Sequence, residues 1–132
     1  MTTVHESRPL YAAIISQLET ATGKLIGAAV SPGGAEPYAV VYPQSDFAGD
    51  GPLNDPNEMA LQLFQVTAVG GDMDEAQWMQ YEVRLALLGW SPTVTGWTFG
   101  PIRLDLPSGV LRDDDGPVFY TTDRFFVFVS PS

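Results

Sequence analysis

The sequence predicts an α+β fold: a mostly antiparallel sheet with two α-helices packed on one face, as a single domain over residues 1–132. Three observations predict it. Two segments carry apolar residues at helical spacing, bounded by start and stop signals. Tyr38 to Tyr42 and Met59 to Val69 are β-rich runs set apart by Gly, Pro and Asp. The last third of the chain is β-rich as well and is punctuated by turn signals.

The first helix is predicted over Arg8 to Thr22, with Ser7 as N-cap and Pro9 tolerated in the first turn. Leu10, Ile14 and Leu18 recur every fourth residue as a core stripe, with Ala13 and Ala21 beside it. Gly23 supplies the stop. Leu25 to Val30 is a candidate strand, and Ser31 to Pro37 a loop. Tyr38 to Tyr42 reads as a strand closed by Pro43. Gln44 to Asn57 then reads as a long acidic loop, of a length that is uncommon in a compact domain and often functional or mobile. In Met59 to Val69 the apolar alternation changes phase near Leu63, which means either a bulge there or a strand partly covered on both faces.

The second helix is the best signalled. Asp72 caps it, Glu75 reaches back, and Gly89 with Pro92 ends it. At about 100° per residue its apolar residues fall into two stripes. Ala76, Met79, Val83, Ala86 and Leu87 form one, and Trp78, Tyr81, Leu85 and Leu88 the other. One can face the sheet of its own chain; the other needs a different partner. Beyond it, Ile102, Leu104 and Leu106 alternate with Arg103 and Asp105, as in a strand with one buried face. Pro107-Ser108-Gly109 signals a turn, Arg112 to Pro117 an acidic loop, and Phe119 to Thr121 a short strand. Arg124 to Val129 is a terminal strand, with Phe125, Val127 and Val129 on one face and Phe126 and Phe128 on the other. This apolar surface exceeds what two helices and a small sheet bury easily, and such stripes mark interfaces. The alternative is that the segment Trp90 to Phe99 covers it.

Composition narrows the function classes. The chain has no Cys, so disulfides and thiolate metal sites are out, which fits assembly in a reducing cytoplasm. Six basic residues against 16 acidic ones leave a formal charge of −10, which disfavours grip on nucleic acid or anionic lipid. No basic n-region precedes an apolar run, and no apolar stretch approaches the ~20 residues of a spanning helix.

Catalytic chemistry finds little support. His5 is the only histidine, and there is no G-x-S-x-G, phosphate-binding Gly-rich loop or dinucleotide fingerprint. Asp113-Asp114-Asp115 offers carboxylates for a hard cation but reads more simply as a solvated tip. Asp46 to Gly51 starts like a calcium loop but has Ala48 and Asn57 where ligands belong and a β run before it. No cofactor or metal is expected. A small carboxylate or metal-dependent enzyme stays as an alternative, because spatial carboxylate pairs are not legible in sequence order.

Six segments together resemble a known family: Leu63-Phe-Gln-Val-Thr-Ala-Val-Gly70, Glu75-Ala-Gln-Trp78, Val83-Arg-Leu-Ala-Leu-Leu88, Ile102-Arg-Leu-Asp-Leu106, Arg112-Asp-Asp-Asp115 and Val118-Phe-Tyr-Thr-Thr-Asp-Arg-Phe125. They resemble tail terminator proteins of long-tailed phages of actinobacterial hosts. The resemblance implies a non-enzymatic virion protein, assembled in the host cytoplasm into a ring of usually six copies. That ring caps the tube of major tail protein, stops its growth, receives head-completion proteins on its other face and lets DNA pass. The residues agree on separate grounds: such a ring needs two apolar surfaces per subunit, and Trp78, Tyr81, Leu85, Leu88, Phe126 and Phe128 are the candidates for them. From charge, Asp113, Asp114 and Asp115 are expected along an acidic lumen; Asp46, Phe47, Asp50, Leu53 and Asp55 are expected in a loop that meets tube or neck. Alternatives are another head-to-tail joining protein, such as a head-closure or tail-completion subunit, or a monomeric adaptor.

Overall fold

The computed structural model describes residues 7–47, 60–114, 116 and 118–132. Its elements run α1 (Arg8–Thr22), β1 (Ile26–Ala28), β2 (Tyr38–Phe47), β3 (Ala60–Gly70), α2 (Met73–Leu87), β4 (Thr93–Val94), β5 (Trp97–Phe99), β6 (Arg103–Leu106), β7 (Leu111–Arg112) and β8 (Phe119–Pro131). This is the expected α+β architecture. The strands form one sheet in the order β1-β2-β3-β8-β5-β4, with β6 and β7 also paired to β8. Only β1 runs parallel to its neighbour, β2; the other strand pairs are antiparallel.

Both helices pack on one face. From α1, Leu10, Ile14 and Leu18 are fully buried. From α2, Ala76, Met79, Val83, Ala86 and Leu87 are buried. Beneath them lie Phe64 and Val66 of β3 and Phe125, Val127 and Val129 of β8. Phe64 stacks on Phe125 at 5.5 Å between ring centroids, and the Tyr11 ring meets Phe64 edge-on at 6.2 Å. Such pairs add about 1 kcal/mol each beyond their area burial. Gln17 Nε2 ties the helices together by donating to the Ala86 carbonyl at 3.0 Å.

Four local expectations are corrected. Ser7 precedes α1 but makes no side-chain cap; Gly23 does end the helix, in the left-handed region at φ 70°. Pro43 does not end its strand, because β1 pairs with β2 only as far as Val41. Past that point β2 is an edge, where a missing N–H costs no ladder bond, so the strand continues to Phe47 with a register shift between Pro43 and Asp46. The strands read at Phe119 to Thr121 and Arg124 to Val129 are one, because β8 runs unbroken along β3. The alternation of Ile102, Leu104 and Leu106 does not hold one face. A register shift after Leu104 brings Leu106 opposite Arg124, on the outer side of the sheet, where it is exposed.

β3 itself carries no bulge: its pairing with β8 is continuous from Ala60 to Gly70. The other alternative holds: both faces are partly covered, and a polar residue sits on the core face. Gln62 is buried, and its Nε2 donates to the Tyr11 hydroxyl at 2.7 Å and to the Gln44 carbonyl at 3.3 Å. Leu61 and Leu63 lie half-buried on the other side.

Candidate assembly interface

α2 starts as its sequence signals. Asp72 Oδ1 accepts from the Glu75 backbone N–H at 2.7 Å, and Glu75 Oε1 accepts from the Gly71 N–H at 2.8 Å. Asp74 and Glu75 also place negative charge in the first turn, where the helix dipole favours it. With the first stripe against the sheet, the second is turned outward. Trp78 is 40% exposed, Tyr81 59%, Leu85 60% and Leu88 41%. The Lys24 ammonium sits 5.7 Å from the Trp78 ring centroid. The segment Trp90 to Phe99 does not cover this stripe; Trp90, Val94 and Trp97 pack against the core instead, and β4 contacts α1.

On the outer face of β8, Phe128 is 41% exposed and Phe126 half-buried, with the two rings edge to face at 5.8 Å. The sequence suggests two separate apolar surfaces. In the fold they meet at one corner. Leu88, Gly89, Pro101, Ile102, Arg103, Leu104 and Phe126 line a single shallow hollow, and Leu88 also lines a second one with Tyr81, Arg84 and Leu85. A bridge between Leu88 and Ile102 joins the end of α2 to the start of β6.

One group that sequence reasoning missed fixes the rotation of α2. Asp123 is buried on the core side of β8 and receives four hydrogen bonds. Arg84 Nε donates to Oδ2 at 2.8 Å and Nη2 to Oδ1 at 3.0 Å. Gln80 Nε2 and the Ser108 N–H each donate to Oδ1 at 3.0 Å. The hydrogen bond to Asp123 holds the Arg84 guanidinium above its ordinary pKa, with burial opposing. A signal was available: in β8 Asp123 shares the phase of Phe125 and Val127, and an inward carboxylate demands a partner.

The acidic residues are only partly placed. Asp113 and Asp114 form the turn between β7 and β8, where the Asp113 N–H donates to the Val118 carbonyl at 2.9 Å. Asp114 is exposed and Asp113 half-buried, while Asp115 lies outside the described residues. Asp46 and Phe47 belong to the backbone of β2; Asp50, Leu53 and Asp55 lie outside the described residues. Among the described residues no group of three or more His, Cys, Asp or Glu side chains is arranged to hold a metal ion, and no helix is long and apolar enough to cross a membrane.

No protein-family model and no curated protein matches the chain. Solved structures do share its fold. A chain from the virion of a native gene transfer agent particle superposes with a TM-score of 0.67 at 18% identity, over 92% of this chain and 94% of that one. The gp17 protein of bacteriophage SPP1 superposes with a TM-score of 0.59 at 20% identity, over 92% of this chain and 88% of gp17. At such identities the likeness is one of fold.

Proposed function

We propose that the chain is a structural protein of a phage virion. More narrowly, it acts as a tail terminator, a subunit of a ring that caps the tail tube and stops its polymerisation. The observation that carries this reading is the uncovered apolar surface running from Trp78 along α2 to the hollow at Leu88 and Phe126. A lone soluble chain gains nothing from such a surface, whereas a ring of head-to-tail contacts needs two different patches on every copy. The fold shared with a virion chain of a gene transfer agent and with a phage protein supports the virion setting.

In this reading Trp78, Tyr81, Leu85, Leu88, Phe126 and Phe128 lie between copies. The turn of Asp113 and Asp114, with Asp115, lines the hole and repels the phosphates of passing DNA, so the genome slides without being gripped. The segment that continues β2, with Asp46, Phe47, Asp50, Leu53 and Asp55, meets the tube or the head-completion proteins. The test is to add the purified chain to polymerising tail-tube protein of the same phage and image the products. Shortened tubes with a ring at one end support the assignment. Tubes of unchanged length, with the chain bound to DNA-filled heads instead, would make it a head-side joining protein.

A further inference from the structure

The hollow at the corner of α2 and β6 carries a charge among its apolar walls. Of the basic residues, Arg84 is paired with Asp123, Arg124 with Asp105 at 2.6 Å, and Lys24 sits over Trp78. Arg103 and Arg112 are exposed and, among the described residues, neither guanidinium has a hydrogen bond or ion pair; of the two, Arg103 lines the hollow. An unpaired arginine framed by Leu88, Pro101 and Phe126, on a chain of net charge −10, suits a partner that offers an apolar side chain beside a carboxylate.

The same chain presents that pair at the other end of α2. Met73 opens the helix 55% exposed, and Asp74 follows it. Asp72 and Glu75 are committed to capping; Asp74 is exposed and has no partner among the described residues. At about 100° per residue Asp74 falls on the face of Trp78, Tyr81, Leu85 and Leu88. The outward stripe of α2 therefore runs from a carboxylate to a socket holding a guanidinium.

We infer that the hollow is a socket for a second copy of this chain, and that the Met73–Asp74 corner of that copy enters it, Asp74 pairing with Arg103. This rests on the ring reading above and names its contact. The two ends of α2 lie about 22 Å apart at 1.5 Å per residue, so no copy fills its own socket. Each copy gives its corner to one neighbour and its socket to the other. Such a heterologous contact either closes as a ring or propagates.

Charge reversal tests it on the full chain. Arg103→Glu and Asp74→Lys each change an exposed side chain, so both variants should melt within a few degrees of the parent; Arg103→Gln serves as a milder version should either fail to fold. Association is read by sedimentation, free and on tail tubes. The expectation is that each reversal weakens association at least about tenfold. Mixing the two reversed chains, or joining both changes in one chain, should restore it, because each Glu then meets a Lys. Parent-like association of either reversed chain, or failure of the mixture to recover, overturns the socket and leaves the ring reading standing. A parent chain that associates neither in solution nor on tubes overturns both.

Discussion

Arg84 grips Asp123 with two nitrogens, Nε at 2.8 Å from Oδ2 and Nη2 at 3.0 Å from Oδ1, and through that fork α2 is keyed to the central strand of the sheet. Arg84 lies between the two stripes of the helix. Holding it holds both: one inward on Phe64 and Phe125, the other outward.

Removing the arginine should therefore cost both stability and assembly. Arg84→Ala leaves a buried carboxylate with only Gln80 and Ser108 as donors, and is expected to destabilise by about 3 kcal/mol. That is the low end for a broken buried pair, since Arg84 is itself 32% exposed and partly screened. Arg84→Lys should recover part of the loss, because an ammonium cannot make the two-pronged contact. The Arg84 pKa is raised, so the guanidinium stays charged across the usable range, and its contribution is not lost as pH rises toward 10. Urea midpoints of the three proteins check the ranking.

Changes in the outward stripe should do the reverse. Leu85→Ser and Tyr81→Ser alter side chains about 60% exposed, so stability should move by no more than about 0.5 kcal/mol. Capping of tail tubes should be lost. A large fall in melting temperature would mean that the stripe packs within its own chain.

Gly70 joins β3 to α2 with no room for a side chain. A Cβ there would lie 2.3 Å from the Ala76 nitrogen and 2.7 Å from the Glu75 carbonyl carbon, both backbone atoms that cannot swing aside. Gly70→Ala is expected to cost about 3 kcal/mol, the upper end for overpacking, through displacement of the first turn of α2. Asp72→Ala, one link further on, should cost only about 1 kcal/mol, the worth of a lost cap. Chemical denaturation separates the two.

Neutralising the β7–β8 turn tests the proposal that it lines the hole of a ring. Asp113→Asn with Asp114→Asn and Asp115→Asn should leave ring formation and tube capping unchanged but slow genome passage, measured as DNA ejection from assembled particles. Rings that fall apart instead would move these residues from the hole to the contact between copies.

Much of the fold was legible because short-range physics decides it. Spacing gave both helices their bounds, and the Asp72 and Glu75 cap was readable residue by residue. The stripe left outside was legible too: a helix apolar on two sides cannot bury both against one sheet. What failed depended on neighbours the sequence does not reveal. Pro43 looked like a stop because its position on an edge follows from how short β1 is. Leu106 looked buried because a register shift that turns it outward leaves no mark in the alternation. Thr122 and Asp123 looked like a gap between strands. In fact Thr122 meets the Thr67 hydroxyl across the ladder at 3.1 Å, and Asp123 waits for Arg84. The hollow at Arg103 was illegible for the same reason, since its walls come from α2, β8 and the segment running into β6.

β8 pairs with β3 along one edge and with β5, β6 and β7 along the other, yet it follows them all in the chain. A ribosome that has released residues up to Val118 has made both helices and seven strands without the one that unites them. Phe126, a wall of the hollow at the helix end, arrives in that same late segment. The core, which needs Phe125, Val127 and Val129, and the hollow, which needs Phe126, are therefore completed together, by one strand made after every element it joins.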